Sequence, residues 1–263
     1  MKHSALAILA LASIVMFAAT AQAAVTTVAL YHCGEDGDNP AVSLIAAAGT
    51  DAALVHSSGG TRTIETGTTG AMGSTKYLKT YRSDWSPGIA YLSGQSTNWG
   101  MSAWVLMPSA PLDGSSRDGD SYWMMSNGGW SSGVGLDCVV ANVTTKWNIG
   151  GSTVDPSLWG TWAHVASVYQ SGQRQLYVNG ELIGTTAGNA GWTTGIYNNF
   201  WVGTYNANDY ISRGAEGFDE IQVFSFNAGE FDISDVYQTI PEPATMSLLV
   251  IGGVAALIRR RRS

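Results

Sequence analysis

Between about Ala24 and Ile240, no run of ten residues repeats its apolar side chains at the 3.6-residue period that an amphipathic helix needs. Aromatic and β-branched residues instead come in short runs broken by Gly, Ser, Asn and Asp, the pattern of strands joined by tight turns. The expected strands are Thr27–Cys33, Gly100–Met107, Ser121–Ser126, Gly133–Ala141, Thr161–Tyr169, Gln173–Val178, Glu181–Thr185, Phe200–Thr204 and Phe218–Phe226. The best helical turn is Glu230–Tyr237. One hairpin is explicit: Gln175–Val178 and Glu181–Gly184 flank Asn179-Gly180, and Asn-Gly supplies the two positive-φ positions of a type I′ turn. Short strands with turn signals between them predict an all-β fold, a sandwich or a jelly roll.

The two ends of the chain are of a different kind. Met1-Lys2-His3 is a short basic start, Ala5 to Phe17 is apolar, and Ala21-Gln22-Ala23 is a small-residue cleavage pattern, so residues 1–23 read as a signal peptide for a signal peptidase. At the other end Pro241-Glu242-Pro243 precedes an apolar stretch, residues 244–258, and then Arg259, Arg260, Arg261 and Arg262. An arginine at the bilayer centre costs about 3 kcal/mol on insertion scales, so four in a row stay on the cytoplasmic side. A helix over the apolar stretch would be about 22 Å long, short of a hydrocarbon core of roughly 30 Å, which suits a transient anchor. The remaining body, residues 24–240, is long enough for one large β-domain. Without Lys2, Glu242 and the four arginines, Lys+Arg falls from 13 to 8 and Asp+Glu from 20 to 19, leaving the body at −11. So acidic and lysine-poor a surface argues against nucleic acid or anionic membrane as a partner.

The tail resembles the PEP-CTERM sorting signal of Gram-negative bacteria, in the order Pro241-Glu242-Pro243, apolar run with Gly252-Gly253, arginine cluster. The resemblance implies recognition by an exosortase-type membrane protease, removal of the tail near the motif, and delivery to the cell surface or extracellular matrix. The body resembles the laminin-G-like, concanavalin A-like domain. Its core is similar to Trp162–Tyr169, a short polar turn, and Leu176–Glu181. Met101–Val105 resembles an earlier strand of that family, Phe218–Phe224 its closing strand, and Tyr31–Glu35 its opening strand and acidic turn. The implied fold is again a jelly roll of two antiparallel sheets, over about Leu30 to Tyr237.

That family includes β-glucan hydrolases. Retaining enzymes need two carboxylates about 5–5.5 Å apart. Relatives carry them on one strand as Glu-x-Asp-x-x-Glu. The nearest approach here is Glu216-Gly217-Phe218-Asp219-Glu220, where Asp219 has the wrong parity and the segment belongs to the closing strand. His32, His56 and His164 are scattered, no Gly-x-Ser-x-Gly occurs, and His164 is expected to be structural. The chain reads as a non-enzyme.

Glu35-Asp36-Gly37-Asp38-Asn39 packs hard oxygen ligands into one turn, which suits Ca²⁺. In related domains a structural calcium can join this turn to the Asp of the closing strand, here Asp219. The alternative is a solvated turn whose side chains cap their own backbone. Asp113–Asp120 is expected to be a polar loop. Of the ten tryptophans, Trp104, Trp147 and Trp162 fall in strand patterns and are expected in the core, whereas Trp130, Trp192 and Trp85 sit among loop residues as candidates for stacking on a sugar. Cys33 and Cys138, the only cysteines, either form a disulfide after export or, for Cys138, present a buried thiol in an alternating strand pattern. The functional expectation is an exported, non-catalytic binding module for an extracellular glycan or surface protein. A structural matrix component without a specific ligand is the alternative.

Overall fold

The computed structural model describes residues 25–33, 43–44, 49, 54–55, 63–66, 70–79, 88–91, 98–109, 122–127, 136–141, 146–188, 199–203 and 213–237. Residues 1–23, expected to be a signal peptide, and residues 241–263, with the apolar stretch 244–258, lie outside them. The strands run in chain order as β1 (Val25–Tyr31), β2 (Ser43–Leu44), β3 (Leu54–Val55), β4 (Thr63–Thr66), β5 (Lys76–Lys79), β6 (Gly88–Tyr91), β7 (Trp99–Leu106) and β8 (Tyr122–Asn127). They continue as β9 (Leu136–Ala141), β10 (Lys146–Trp147), β11 (Trp162–Gln170), β12 (Gln173–Val178), β13 (Glu181–Ala187), β14 (Asn199–Val202), β15 (Arg213–Gly214) and β16 (Gly217–Phe226). No α-helix occurs among the described residues; three short 3₁₀ turns do, at Ala71–Gly73, Pro156–Leu158 and Ile233–Asp235.

These strands form two eight-stranded sheets. Sheet A has the order β13-β12-β11-β7-β16-β5-β4, with β1 also on β16, and sheet B has β10-β9-β8-β14-β6-β3-β2, with β15 beside β8. All pairings are antiparallel except β15 with β8. This is the expected all-β sandwich, and the first and last strands are neighbours in it. All nine expected strands are present, Gln173–Val178 with the expected ends and the others with shifted ones, and the turn expected at Glu230–Tyr237 contains the 3₁₀ turn Ile233–Asp235.

The core lies between the sheets. Ala29, Tyr31, Met101, Ala103, Val105, Val165, Leu176, Phe218, Ile221 and Val223 come from sheet A, and Met124, Met125, Trp147, Phe200 and Val202 from sheet B. Alternation selects most of these residues, because i and i+2 of a strand share a face, and it is interrupted at Met124-Met125 and between Phe218 and Ile221, where the register slips. A smaller apolar cluster, Val168, Phe224, Phe226 and Val236 with Tyr177, Phe231 and Ile233 packed on it, lies where the C-terminal segment after β16 covers sheet A.

The tryptophans divide accordingly. Trp147 is in the core as expected. Trp104 and Trp162 are not: each alternates with core residues of its strand, so it faces the other side of sheet A. There Trp162 meets Tyr77 edge to face at 5.3 Å, and Trp104 lies beside His164 and Tyr237. The Asn179-Gly180 turn forms as expected, with φ of 49° and 83° and Val178 opposite Glu181. Asn179 also ties the hairpin to β11. Its N–H donates to the His164 carbonyl at 2.8 Å, and its Oδ1 accepts from the His164 N–H at 2.9 Å.

Candidate functional site

Strand β16 has β7 along one edge for most of its length. Its other edge changes partner: Gly217 and Phe218 pair with β5, whereas Ile221 to Phe226 pair with β1. The change falls on Asp219 and Glu220, where the β7–β16 register also slips and Glu220 takes a left-handed φ of 48°. An extra residue at such a bulge leaves the ladder unpaired locally and re-aims its side chains. The chain therefore gathers polar groups at a seam between three strands.

Asp219 is fully buried. Its Oδ1 accepts the Glu220 N–H at 3.0 Å. Its Oδ2 faces Gly70, where a Cβ would lie 2.9 Å from that oxygen, 2.8 Å from Ser74 Oγ and 2.5 Å from the Lys76 carbonyl oxygen. A glycine here leaves a small space walled by three hard oxygens, and any side chain would fill it. Ser74 Oγ also donates to the Lys76 carbonyl at 2.5 Å. Glu220 turns instead to the end of β1: His32 Nδ1 lies 2.9 and 2.8 Å from its two carboxylate oxygens, with both side chains about one-third exposed.

This donor set fits a hard divalent cation in kind, since Ca²⁺ takes carboxylate, hydroxyl and carbonyl oxygens. Among the described residues no three His, Cys, Asp or Glu side chains gather as a metal cluster. Of the expected ligands, Asp219 lies at this seam, and Glu35 and Asp36 lie outside the described residues. The register carries β1 toward the seam, with Leu30 opposite Gln222 and Tyr31 opposite Ile221.

The same seam bears on catalysis. The closing strand lies in the middle of sheet A, between β7 and β5. Its carboxylates nonetheless carry structural bonds: Glu216 Oε1 accepts the Ser109 N–H at 3.0 Å, Asp219 accepts from Glu220, and Glu220 holds His32.

His164 is structural, as expected. It is 2% exposed between the rings of Trp104, at 5.6 Å, and Tyr237, at 5.2 Å. Desolvation lowers its pKa to about 4, so it is neutral at physiological pH.

Trp130, Trp192 and Trp85 lie outside the described residues. Trp201 was not singled out by its sequence, since it sits in a plain strand pattern. It is 4% exposed, it alternates on β14 with the core residues Phe200 and Val202, and its indole N–H has no hydrogen-bond partner. A buried donor in that state costs about 1–3 kcal/mol. Cys33 is buried at the end of β1 with Sγ 3.6 Å from the Tyr31 carbonyl oxygen. Cys138 lies on β9 opposite Met125, its side chain outside the described residues.

Comparison with known proteins agrees with this architecture. The profile of the laminin-G-like family, described as the concanavalin A-like lectin/glucanases superfamily, matches residues 73–230, and that of the PEP-CTERM protein-sorting motif matches 239–262. No curated protein matches the chain. Among solved structures, domain 4 of AbnA, an extracellular arabinanase from Geobacillus stearothermophilus in complex with arabinotriose, is 16% identical with a TM-score of 0.52, over 81% of this chain and 99% of that one. The binding domain of botulinum neurotoxin serotype D is 15% identical with a TM-score of 0.51, over 80% of this chain. The chain spans 49% of that structure's length. The sorting motif implies processing by an exosortase, with export and transient membrane anchoring in a Gram-negative bacterium.

Proposed function

Because the chain belongs to the concanavalin A-like lectin/glucanases superfamily, we propose that it is an exported, non-catalytic module that binds an extracellular glycan at the cell surface or in the matrix. The observation that carries this reading is the likeness to the arabinanase domain seen with arabinotriose, which spans nearly all of that domain and so concerns a binding unit of the same extent. The structural bonds made by Glu216, Asp219 and Glu220 support a non-catalytic role, since each carboxylate already has work in the fold. The loop tryptophans Trp130, Trp192 and Trp85 would offer flat apolar faces to sugar rings. Calcium held by Asp219 with Glu35 and Asp36 would fix the opening turn to the closing strand, a role in shaping rather than in chemistry.

A glycan array probed with purified body, residues 24–240, with calcium and with chelator, tests the proposal. Saturable binding that Trp130→Ala or Trp192→Ala abolishes, at unchanged thermal stability, is the expected result. A clean negative from folded protein would favour a structural matrix component. Hydrolysis of a β-glucan by the same preparation would overturn the non-catalytic reading.

A further inference from the structure

From Phe231 to Tyr237 the segment that follows β16 packs on sheet A. Phe231 stacks on Phe224 at 5.7 Å and 8°, and meets Phe226 at 4.9 Å and Tyr177 at 5.8 Å. The turn Ile233–Asp235 is held by a capping box between Asp232 and Asp235, in which Asp235 Oδ2 accepts the Asp232 N–H at 3.2 Å, and Asp232 Oδ1 also accepts the Ser234 N–H at 2.8 Å. Val236 is 6% exposed. Tyr237 donates its N–H to the Ile233 carbonyl at 2.7 Å and lays its ring beside His164, Trp104 and the Asn179-Gly180 turn. The fit there is close, because a Cβ on Gly180 would come within 2.7 Å of the Tyr237 ring.

The sorting motif begins at residue 239, and only Gln238, Thr239 and Ile240 separate Tyr237 from Pro241. Four Cα-to-Cα steps reach at most about 14 Å. A protease needs an extended stretch of chain on both sides of the bond it cuts, and a packed segment supplies one only when it opens locally. With so short a spacer, the residues upstream of the motif are those docked on sheet A. Pro241 and Pro243 fix their own φ angles and add no slack.

We propose that docking of Phe231–Tyr237 on sheet A gates removal of the sorting tail, so that the sorting protease acts on molecules in which this segment has lifted. The gate lies in the domain rather than in the motif. Its closed state is the Phe231 stack and the Tyr237 seat, and its open state exposes the apolar face of Phe224, Phe226 and Val168. This goes beyond the ligand-binding proposal and depends only on the sorting motif and the packing of the segment.

The test is pulse–chase of the full chain in a host carrying the exosortase, read as the ratio of processed to unprocessed protein. Ten Gly/Ser residues inserted between Tyr237 and Gln238 leave every docking contact in place and move the motif away from it. Several-fold faster tail removal, at an unchanged thermal midpoint of the domain, is expected. Phe231→Ala at native spacing should also speed removal, by loosening the stack. An insertion variant processed at the parent's rate or slower overturns the gate. That holds even if Phe231→Ala is faster, because processing would then follow loss of domain stability rather than lifting of the segment.

Discussion

The two halves of β16 are built to different ends. From Gln222 to Ser225 the strand is paired on both sides, by β7 and β1, and its outward aromatic residues are covered by the C-terminal segment. At Asp219 and Glu220 the pairing changes hands, the backbone turns left-handed, and a carboxylate is buried instead of a ring. Burying a ring gains stability in proportion to the apolar area removed from water, whereas burying a carboxylate costs unless bonds or a cation answer it. The first half holds the sandwich together. The second is where the fold spends stability on a local arrangement, which is where a ligand-dependent feature belongs.

The largest effect that sharpens this contrast is in the aromatic half. Phe224→Ala removes a fully buried ring stacked on Phe231, and a loss of about 4 kcal/mol is expected in denaturant unfolding. A loss under 1 kcal/mol would show that the C-terminal segment does not cover that face in solution. His164, which pairs with Trp104 in the row of Asp219, should make the domain acid-sensitive. Its folded pKa of about 4 lies below the ordinary histidine value of 6.5, so the unfolded chain binds the extra proton first. The contribution is fully present above about pH 6.5 and is lost as pH falls toward 4, to a total of about 3 kcal/mol. Thermal melts across that window should show the loss, and His164→Gln should flatten it. An unchanged slope would place the sensitivity on other groups.

What was legible in the sequence follows the same division. Alternating apolar residues and Asn179-Gly180 specify strands and a turn locally, so the nine expected strands and the hairpin are present. The short strands β2 to β6 were missed because two to four residues, such as Ser43-Leu44 or Lys76–Lys79, carry too little periodicity to stand out, and it is their neighbours in the sheets that hold them extended. Trp104 and Trp162 were misassigned because alternation says which residues share a face, not which face is the core. The seam was half legible. Asp219 stood out by its place in the closing strand, but Gly70, Ser74 and Lys76 approach it through tertiary packing. His32 with Glu220 is likewise a contact across 188 residues, which no local pattern announces.

The polar half of β16 yields the smaller predictions. If calcium occupies the seam, melting of the body with calcium and with chelator should differ by several degrees, since about 1 kcal/mol moves the midpoint of a domain this size by roughly 2–4 °C. Asp219→Asn should abolish the difference, and identical curves for the parent would remove calcium from the account. Smallest is the His32–Glu220 pair. Both side chains are about one-third exposed, where ion pairs contribute at most about 1 kcal/mol. His32→Ala should therefore cost less than that in urea unfolding, and Glu220→Gln the same, with no further loss in the double variant. The pair joins the end of β1 to the bulge, so a larger cost would mean that it holds the seam's geometry. In that case the calcium response should fall in the same variants, and the two effects would be one.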